Sequence, residues 1–178
     1  DGSVDGHGAV RQTRVVAKDP PSKLGEKIIC VNRKARHDYF LTDTYEGGLV
    51  LTGSEVKSLR DGKANLTDAY AALEQGELYL LNAYIAEYPN ATYNNHTPTR
   101  ARKILVHRQE IKRLERDVAE KGFSLIPTAL YFKDGRAKVE FCLAKGKRQF
   151  DKRETTATRE AERSVRRAMR RGSKYSAP

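Results

Sequence analysis

The sequence predicts a mainly β protein, a small closed barrel of about six antiparallel strands with two or three small helices. Three observations support this class: short β-prone runs recur along the middle of the 178-residue chain, turn signals separate them, and apolar residues become sparse at both ends. Single domains usually contain roughly 100–200 residues, so one core is expected. We expect a disordered leader at residues 1–26, a barrel at 27–148 and a basic tail at 149–178.

The first elements of the barrel are predicted from two apolar runs and two helical patterns. KIICVN has the β-branched continuity of a buried strand, and KARHDYF after it favours a short helix. YEGGLVLTG predicts the next strand. In residues 54–60, Val56 and Leu59 lie three apart, and Asp61 and Gly62 follow as a stop signal. This indicates one or two helical turns that could plug a barrel end.

A hairpin, a loop and another strand follow. Residues 70–73 and 78–81 flank EQGE, in which Gly76 indicates the turn. PNATYNNHTPTR is a long polar loop, and loops of this length within compact domains are commonly functional. KILVH then resumes a strand.

The last part of the barrel combines a helix with the strongest hairpin signal. Residues 109–121 have apolar residues at helical spacing, and Gly122 lies just past the end. Asp134 and Gly135 between two long β-prone runs predict a two-residue hairpin turn. In the second strand of this hairpin, Val139, Phe141 and Leu143 occupy alternate positions, which predicts that they form one face packed on the core. The whole pattern favours a small barrel over a sandwich, and the OB-like barrel is the small barrel most associated with RNA.

Composition indicates the kind of partner. Thirty-four Lys and Arg against twenty-three Asp and Glu give a net charge of +11, which favours a polyanion, with nucleic acid ahead of an anionic membrane. No run of about 18 apolar residues and no signal-peptide pattern occurs, so we expect a soluble, cytoplasmic protein. Cys30 and Cys142 lack metal-site spacing, and we expect buried, reduced thiols with no disulfide, metal or cofactor.

An enzyme would have to use a histidine beside a carboxylate. His37, His96 and His107 are the candidates, with Asp38 or Glu110 nearby. The sequence contains no GxSxG, HExxH, P-loop or GxGxxG motif, and adjacent His and Asp residues are weak evidence for catalysis. We therefore expect no catalytic site. His37 is equally consistent with support of the barrel wall and with RNA contact.

The loop and strand before residue 108 combine cations with imidazoles, which can hydrogen-bond and stack on exposed bases. These residues are His96, Arg100, Arg102, Lys103 and His107. Alternation in RKILVH puts Lys103, Leu105 and His107 on one face and the apolar residues between them on the other. The first face is a candidate binding surface; a solvated charged strand remains the alternative.

The tail from Asp151 onward carries nine Lys or Arg against four acids. On a helix it would gather four of its seven arginines in one narrow sector and small apolar residues on the other side. That sector comprises Arg159, Arg163, Arg166 and Arg170. The apolar stripe is too thin to dock firmly on the barrel. We expect a tail that is mostly disordered alone and helical beside a polyanion, which relieves its charge repulsion.

Four motifs in this order resemble the SsrA-binding protein (SmpB) family: NRKARHDYF, GLVLTGSEVKSLRDGKANLTDAY, PTRARKILVH and AKGKRQFDKR. The resemblance covers nearly all of residues 28–171. Members of this family are the protein partners of tmRNA in bacterial ribosome rescue, which allows tagging of the nascent peptide. The resemblance implies an OB-fold barrel that holds the tRNA-like domain of tmRNA, without an active site or a small-molecule substrate, and a tail that becomes helical in the empty mRNA channel of a stalled ribosome.

The resemblance also implies individual tmRNA contacts. The family's acidic position before the Gly-Leu pair falls on Glu46, and its RNA-contacting positions fall on Leu105 and His107. A carboxylate can accept from base amino groups, although a barrel-stabilising hydrogen bond is the alternative for Glu46. The predicted tmRNA-binding set comprises Glu46, His96, Arg100, Arg102, Lys103, Leu105 and His107, with Asn32, Arg36 and His37 as further candidates.

Ribosome contacts are implied beyond the barrel. Lys145, Lys147 and Arg148 resemble a basic link, and its phosphate contacts would set position without reading sequence. The decoding-centre motif matches Phe150, Asp151, Lys152 and Arg153, and the tail arginines named above complete the set. Phe150 stands where some members have His or Tyr, so stacking is retained but an imidazole hydrogen bond is not. A structural ribosomal protein and an RNA-processing enzyme are the alternative functions.

Overall fold

Six antiparallel strands close into a barrel in the computed structural model, which describes residues 26–91 and 95–172. The side chains of Glu26, Phe150, Arg159, Ala168 and residues 170–172 lie outside this description. The strands are β1 (Glu26–Val31), β2 (Tyr39–Leu49), β3 (Ala64–Asn65), β4 (Tyr70–Glu74), β5 (Glu77–Leu81), β6 (Tyr84–Ile85), β7 (Arg102–Leu105), β8 (Ser124–Lys133) and β9 (Arg136–Gly146). The helices are α1 (Arg33–Asp38), α2 (Gly53–Arg60), α3 (Arg108–Lys121) and α4 (Gln149–Gly172).

The ring runs in the order β8, β4, β5, β7, β2 and β9, and pairing of β9 with β8 closes it. Strand β1 pairs with the outer side of β8, while β3 and β6 form a separate short pair. A closed ring leaves few free edges for aggregation. The predicted mainly β class and the closed barrel of about six strands are confirmed. None of the described helices is long and apolar enough to cross a membrane.

The predicted elements are present with small shifts at their ends. Strand β2 begins at Tyr39, well before the predicted run, because Tyr39 to Leu41 pair with Gly146 to Ala144 of β9. The turn at Gln75-Gly76 and the turn at Asp134-Gly135 both have positive φ at their two central residues. That conformation matches the twist of a two-residue hairpin. The predicted leader, apart from the backbone of Glu26, lies outside the described residues.

The core fills the inside of the ring. Val139, Phe141 and Leu143 of β9 are buried there as predicted, and the Phe141 ring stacks on Tyr45 with centroids 5.7 Å apart. The prediction of a single core face is incomplete, however. Cys142 and Ala144 point to the other side of β9 and are also buried. On that side α1 covers the sheet and forms a second, smaller apolar cluster with it.

Gly47 is required where β2 and β7 approach each other. A Cβ at this position would lie 2.3 Å from Ile104 Cγ2, a buried core atom. We expect Gly47→Ala to lower the free energy of unfolding by about 1–3 kcal/mol, because the neighbouring strand must move to relieve the overlap. Chemical denaturation measures this loss. Gly53→Ala is the matched control, since a Cβ there meets no atom within 4 Å; equal stability of the two variants would contradict the close approach.

Candidate nucleic-acid interface

The outer surface of five neighbouring strands, β5, β7, β2, β9 and β8, carries a mixed basic and apolar strip. Gly48 of β2 lies opposite Lys138 of β9 on one side and Leu105 of β7 on the other. Side chains alternate along strands, so these positions face away from the buried Val139 and Ile104. We call this surface the outer strip; it comprises Glu46, Tyr79, Lys103, Leu105, Lys133, Arg136 and Lys138.

Glu46 is the acid of the outer strip that lies beside Lys133 and Lys138. Its Oε2 accepts from the Tyr131 hydroxyl at 2.5 Å and lies 3.4 Å from Lys133 Nζ, while its Oε1 lies 3.4 Å from Lys138 Nζ. The hydrogen bond from Tyr131, with those from the lysines, holds the pKa of Glu46 below its usual range. The group is therefore a carboxylate at neutral pH, partly exposed and able to accept further hydrogen bonds.

Leu105 provides an apolar contact in the middle of the strip. The residue is 54% exposed although it belongs to a barrel strand. Gly48 beside it has no side chain, and a shallow cavity of about 380 Å³ opens there, bordered by Leu105, Arg136 and Lys138. An apolar surface surrounded by cations suits a nucleotide, whose sugar or base packs while its phosphate is neutralised.

Lys103 and His107, which lie two residues before and after Leu105 along the chain, are accessible as well. Lys103 lies on the outer face beside Tyr79 and forms an ion pair with Glu77. His107 is exposed and precedes the first turn of α3, where its backbone N–H donates to Glu110 Oε2 at 3.1 Å. The predicted common face of Lys103 and Leu105 is present, and His107 continues it just beyond the end of β7.

Arg100 and Arg102 meet a glutamate that the sequence did not single out. Glu55 is fully buried, and Arg100 Nε and Arg102 Nε both donate to its Oε1 at 2.8 Å. Arg100 Nη2 and the Thr52 backbone N–H donate to Oε2 at 2.5 and 2.8 Å. Burial alone would raise the pKa of Glu55, but the donors lower it to about 2. We call these three side chains the buried arginine cluster.

Arg102 therefore has a different place from that expected. Its side chain is 0% exposed, and its remaining N–H groups donate to the carbonyl oxygens of Ala83 and Pro98 at 2.5 and 2.9 Å. A guanidinium with all these partners inside the protein has no surface to offer RNA. Arg102 instead joins the end of the long polar loop, through the Pro98 carbonyl oxygen, to Glu55 of α2. Arg100 is partly exposed but is also held by Glu55.

His96 is likewise corrected from an RNA contact to a structural residue. It is 7% exposed, its Nε2 lies 3.1 Å from the Ile85 carbonyl oxygen, and its Nδ1 lies 3.0 Å from Ser54 Oγ. A carbonyl oxygen only accepts, so Nε2 donates to the Ile85 carbonyl oxygen, and Nδ1 is hydrogen-bonded to the serine hydroxyl. The ring is thus fixed on both sides and is not available for stacking on a base.

The further candidates on α1 lie away from the outer strip. Asn32 is buried; its Oδ1 accepts from Ala35 N–H, and its Nδ2 donates to the carbonyl oxygens of Leu66 and Pro127. Its role is therefore to cap α1 and join it to the barrel. Arg36 and His37 lie in the last turn of α1, just before β2 begins at Tyr39. Glu46 lies towards the other end of β2. The predicted set is thus divided among three places.

The basic link and the tail continue from this end of the barrel. Lys145 is exposed at the end of β9, while Lys147 Nζ donates to the Arg36 carbonyl oxygen at 3.1 Å. Arg148 N–H donates to Asp151 Oδ2 at 3.0 Å in the first turn of α4. The helical form predicted for the tail is present at residues 149–172; its dependence on a polyanion stays a prediction.

Several tail residues predicted to contact the ribosome are accessible. Lys152 is partly buried, whereas Arg153, Arg163 and Arg166 are exposed. The side chains of Phe150, Arg159 and Arg170 lie outside the described residues.

Sequence reasoning missed the half of the outer strip that comes from the last hairpin. Lys133, Arg136 and Lys138 alternate with buried residues around the Asp134-Gly135 turn, and this period could have placed them on one face. Glu55 also had a signal, since Thr52 and Glu55 have the spacing of a capping box. Nothing in that spacing indicated that two arginines from residues 100–102 would join it.

Comparisons with known proteins agree with this architecture. The family model described as "SmpB protein" matches residues 29–171. An "SsrA-binding protein" of Desulforudis audaxviator is 57% identical over 145 residues, which cover 82% of this chain and 95% of the relative. One from Thermobifida fusca is 55% identical over 147 residues, covering 83% and 92%.

A solved structure described as "tmRNA-SmpB: a journey to the center of the bacterial ribosome" has a chain that is 48% identical, with a TM-score of 0.58. The match covers 71% of this chain and 93% of that one. The matches extend over the barrel and much of the chain beyond it, and so include the residues that form the outer strip. The chain belongs to the SmpB family of SsrA-binding proteins.

Proposed function

We propose that this protein is a non-catalytic RNA-binding adaptor of trans-translation, which holds the tRNA-like domain of tmRNA and accompanies it to stalled ribosomes. The observation that carries this proposal is the outer strip, where an exposed Leu105 and an ionised Glu46 lie among cations. Relatives named SsrA-binding proteins, and a neighbour whose description joins tmRNA with the bacterial ribosome, support the identity of the RNA.

The outer strip contains two kinds of binding group: cations that contact phosphates, and side chains that contact a sugar or a base. Lys103, Lys133, Arg136 and Lys138 contact phosphates, which fix the position of the RNA without reading its sequence. Leu105 packs against a sugar or base, and Glu46 accepts from a base amino group, which adds discrimination. The buried arginine cluster and His96 act indirectly, because they hold the loop and β7 in place. No covalent chemistry is required of the protein.

The tail has the complementary task on the ribosome. Arg153, Arg163 and Arg166 are exposed on α4, and a basic helix of this kind suits a channel lined by RNA phosphates. We propose that α4 occupies the empty mRNA channel beyond the decoding centre while the barrel keeps its hold on tmRNA. Because ribosomes translate in the cytoplasm, a protein that acts on stalled ribosomes works there.

Glu46→Ala tests the site. We expect binding to the tRNA-like domain to weaken by about 10-fold, because the base contact is lost and two lysines lose the anion that orients them. Filter binding or fluorescence anisotropy measures the change, and circular dichroism checks that the barrel remains folded. Asp43→Ala is the matched control on the same strand, since Asp43 forms an exposed ion pair with Arg113. Equal affinity of both variants and the parent would remove Glu46 from the proposed site.

Salt dependence tests the electrostatic part of the proposal. Four cations on the outer strip predict that the logarithm of the binding constant falls with the logarithm of salt concentration with a slope of about −3. Lys138→Met should make that slope shallower by about 1, because one phosphate contact is lost. A slope near zero for the parent protein, measured with the tRNA-like domain, would contradict phosphate binding by this surface.

A further inference from the structure

The first turn of α4 is fastened to the last turn of α1, and Asp38 lies at the centre of the contacts. Its Oδ1 pairs with Lys152 Nζ at 3.1 Å and lies 2.9 Å from His37 Nδ1. Its backbone carbonyl accepts from the Lys147 N–H at 2.9 Å. Asp38 therefore contacts α4 through its side chain and the link before α4 through its main chain.

The link itself leaves little freedom. Strand β9 stays paired with β2 as far as Gly146, which lies opposite Tyr39, and α4 begins at Gln149. Only residues 147 and 148 separate the barrel from the helix, and Lys147 Nζ also lies 5.1 Å from the centre of the Phe40 ring. The link and the Asp38–Lys152 pair thus fix the start of α4 from two sides.

Beyond its first turns α4 has no comparable support among the described residues. Asp151, Lys152 and Thr155 are partly buried, whereas all described side chains from Thr156 to Met169 are exposed. A 24-residue helix is about 36 Å long, so a tilt of about 10° at its start moves the far end by roughly 6 Å. Small changes at Asp38 therefore become large displacements of the arginines along the helix.

We propose that Asp38 is a positioning residue, which holds Lys152 and so sets the direction in which α4 leaves the barrel. The consequence for ribosome rescue rests on the proposed function, but the contact is a property of the protein alone. A fixed exit direction would aim the tail at the channel while the barrel is held by tmRNA. Lys152 also belongs to the motif predicted to contact the ribosome, so a phosphate that binds it must compete with Asp38.

The direction of the helix can be measured by pulsed electron paramagnetic resonance on the full-length protein. Cys30 and Cys142 are replaced by alanine, and spin labels are attached to cysteines at two exposed positions, Glu120 on α3 and Ala157 on α4. The second label is close to the start of α4, so fraying of the far end does not affect the distance. The sequence predicts a mostly disordered free tail, whereas the contacts of Asp38 predict an ordered start of α4, so we expect a single narrow distance distribution for this parent.

Asp38→Asn keeps the shape of the side chain and removes its charge. We expect it to widen the distribution about twofold, because the helix then samples several directions. Lys152→Met should do the same from the other side of the pair, which provides a second test if Asp38→Asn folds poorly. Asp38→Glu should restore a narrow distribution, whereas Asp43→Asn, the matched control, should change nothing. An unchanged distribution in both Asp38→Asn and Lys152→Met, or a broad one in the parent, would overturn the proposal.

A functional comparison separates this proposal from the proposed function. Asp38 lies roughly 25 Å along β2 from Glu46, so Asp38→Asn should bind the tRNA-like domain as the parent does. Tagging on stalled ribosomes should fall about fivefold if the productive direction is then populated one-fifth of the time, and Asp38→Glu should recover it. Full tagging by Asp38→Asn would overturn the positioning role. Absence of tmRNA binding by the parent would instead overturn the proposed function and leave the distance measurements to decide on Asp38.

Discussion

Replacing Glu55 with alanine should destabilise the protein by about 3–5 kcal/mol, because Arg102 would remain charged and buried without its carboxylate partner. Glu55 and Arg102 are both 0% exposed, so water cannot take the place of the lost group. Urea denaturation followed by circular dichroism measures the loss. Asp43→Ala, which breaks the exposed pair with Arg113, should change stability by at most about 0.5 kcal/mol.

The same cluster predicts a dependence on pH. The pKa of Glu55 is lowered from 4.5 to about 2 in the folded protein, so its contribution is fully present above pH 4.5 and is lost as the pH falls towards 2. The shift corresponds to about 3 kcal/mol. Glu55→Gln cannot titrate, and its stability should approach that of the parent over this range. A difference between the two proteins that stays constant from pH 5 to pH 2 would contradict a depressed pKa.

Truncation after Arg148 should separate the two activities completely. The core residues of the barrel all lie before Gly146, so we expect the shortened chain to fold and to bind the tRNA-like domain like the full-length protein. Tagging of stalled nascent chains should fall to the background measured without added protein, because the arginines of α4 are gone. A reconstituted translation system with a non-stop message provides the measurement.

Two comparisons make the truncation interpretable. A chain that ends at Gly172 keeps all of α4 and separates its contribution from that of the residues after it. The triple variant Arg153→Gln, Arg163→Gln and Arg166→Gln keeps the length of the helix but removes exposed charge, and it should lie between the parent and the truncation. Full tagging by the chain that ends at Arg148 would rule out a role of the tail in the channel.

Local patterns were sufficient to predict the barrel. Turn chemistry at Gly76 and at Asp134-Gly135, and alternation along β9, indicate hairpins whose register is set by a few residues. The partners of strands far apart in the chain could not be predicted in the same way, since β9 pairs with β2 across roughly a hundred residues of sequence. The burial of Ala144 was missed for a related reason: it depends on α1 packing over β9, a tertiary contact without a signal in the strand itself.

The candidate site shows the same limit. Alternation correctly placed Lys103 and Leu105 on the outside of β7 and, by the same period, puts Arg102 on the inside with Ile104. An arginine in a basic segment is interpreted as an RNA contact because the sequence does not show its buried partner. That partner is Glu55, 47 residues away. His96 was misjudged similarly, because a polar loop gives no indication that Ser54 and Ile85 will enclose the ring.

Recognition of the tRNA-like domain of tmRNA by the outer strip can be tested by binding. The most direct test is binding of the full-length protein to that domain at near-physiological salt, in competition with ordinary tRNA and with an unrelated RNA hairpin. We expect clear preference for the tmRNA domain, and loss of that preference in Glu46→Ala. Equal, salt-sensitive binding to all three RNAs would show instead that the protein is a generic basic RNA-binding protein.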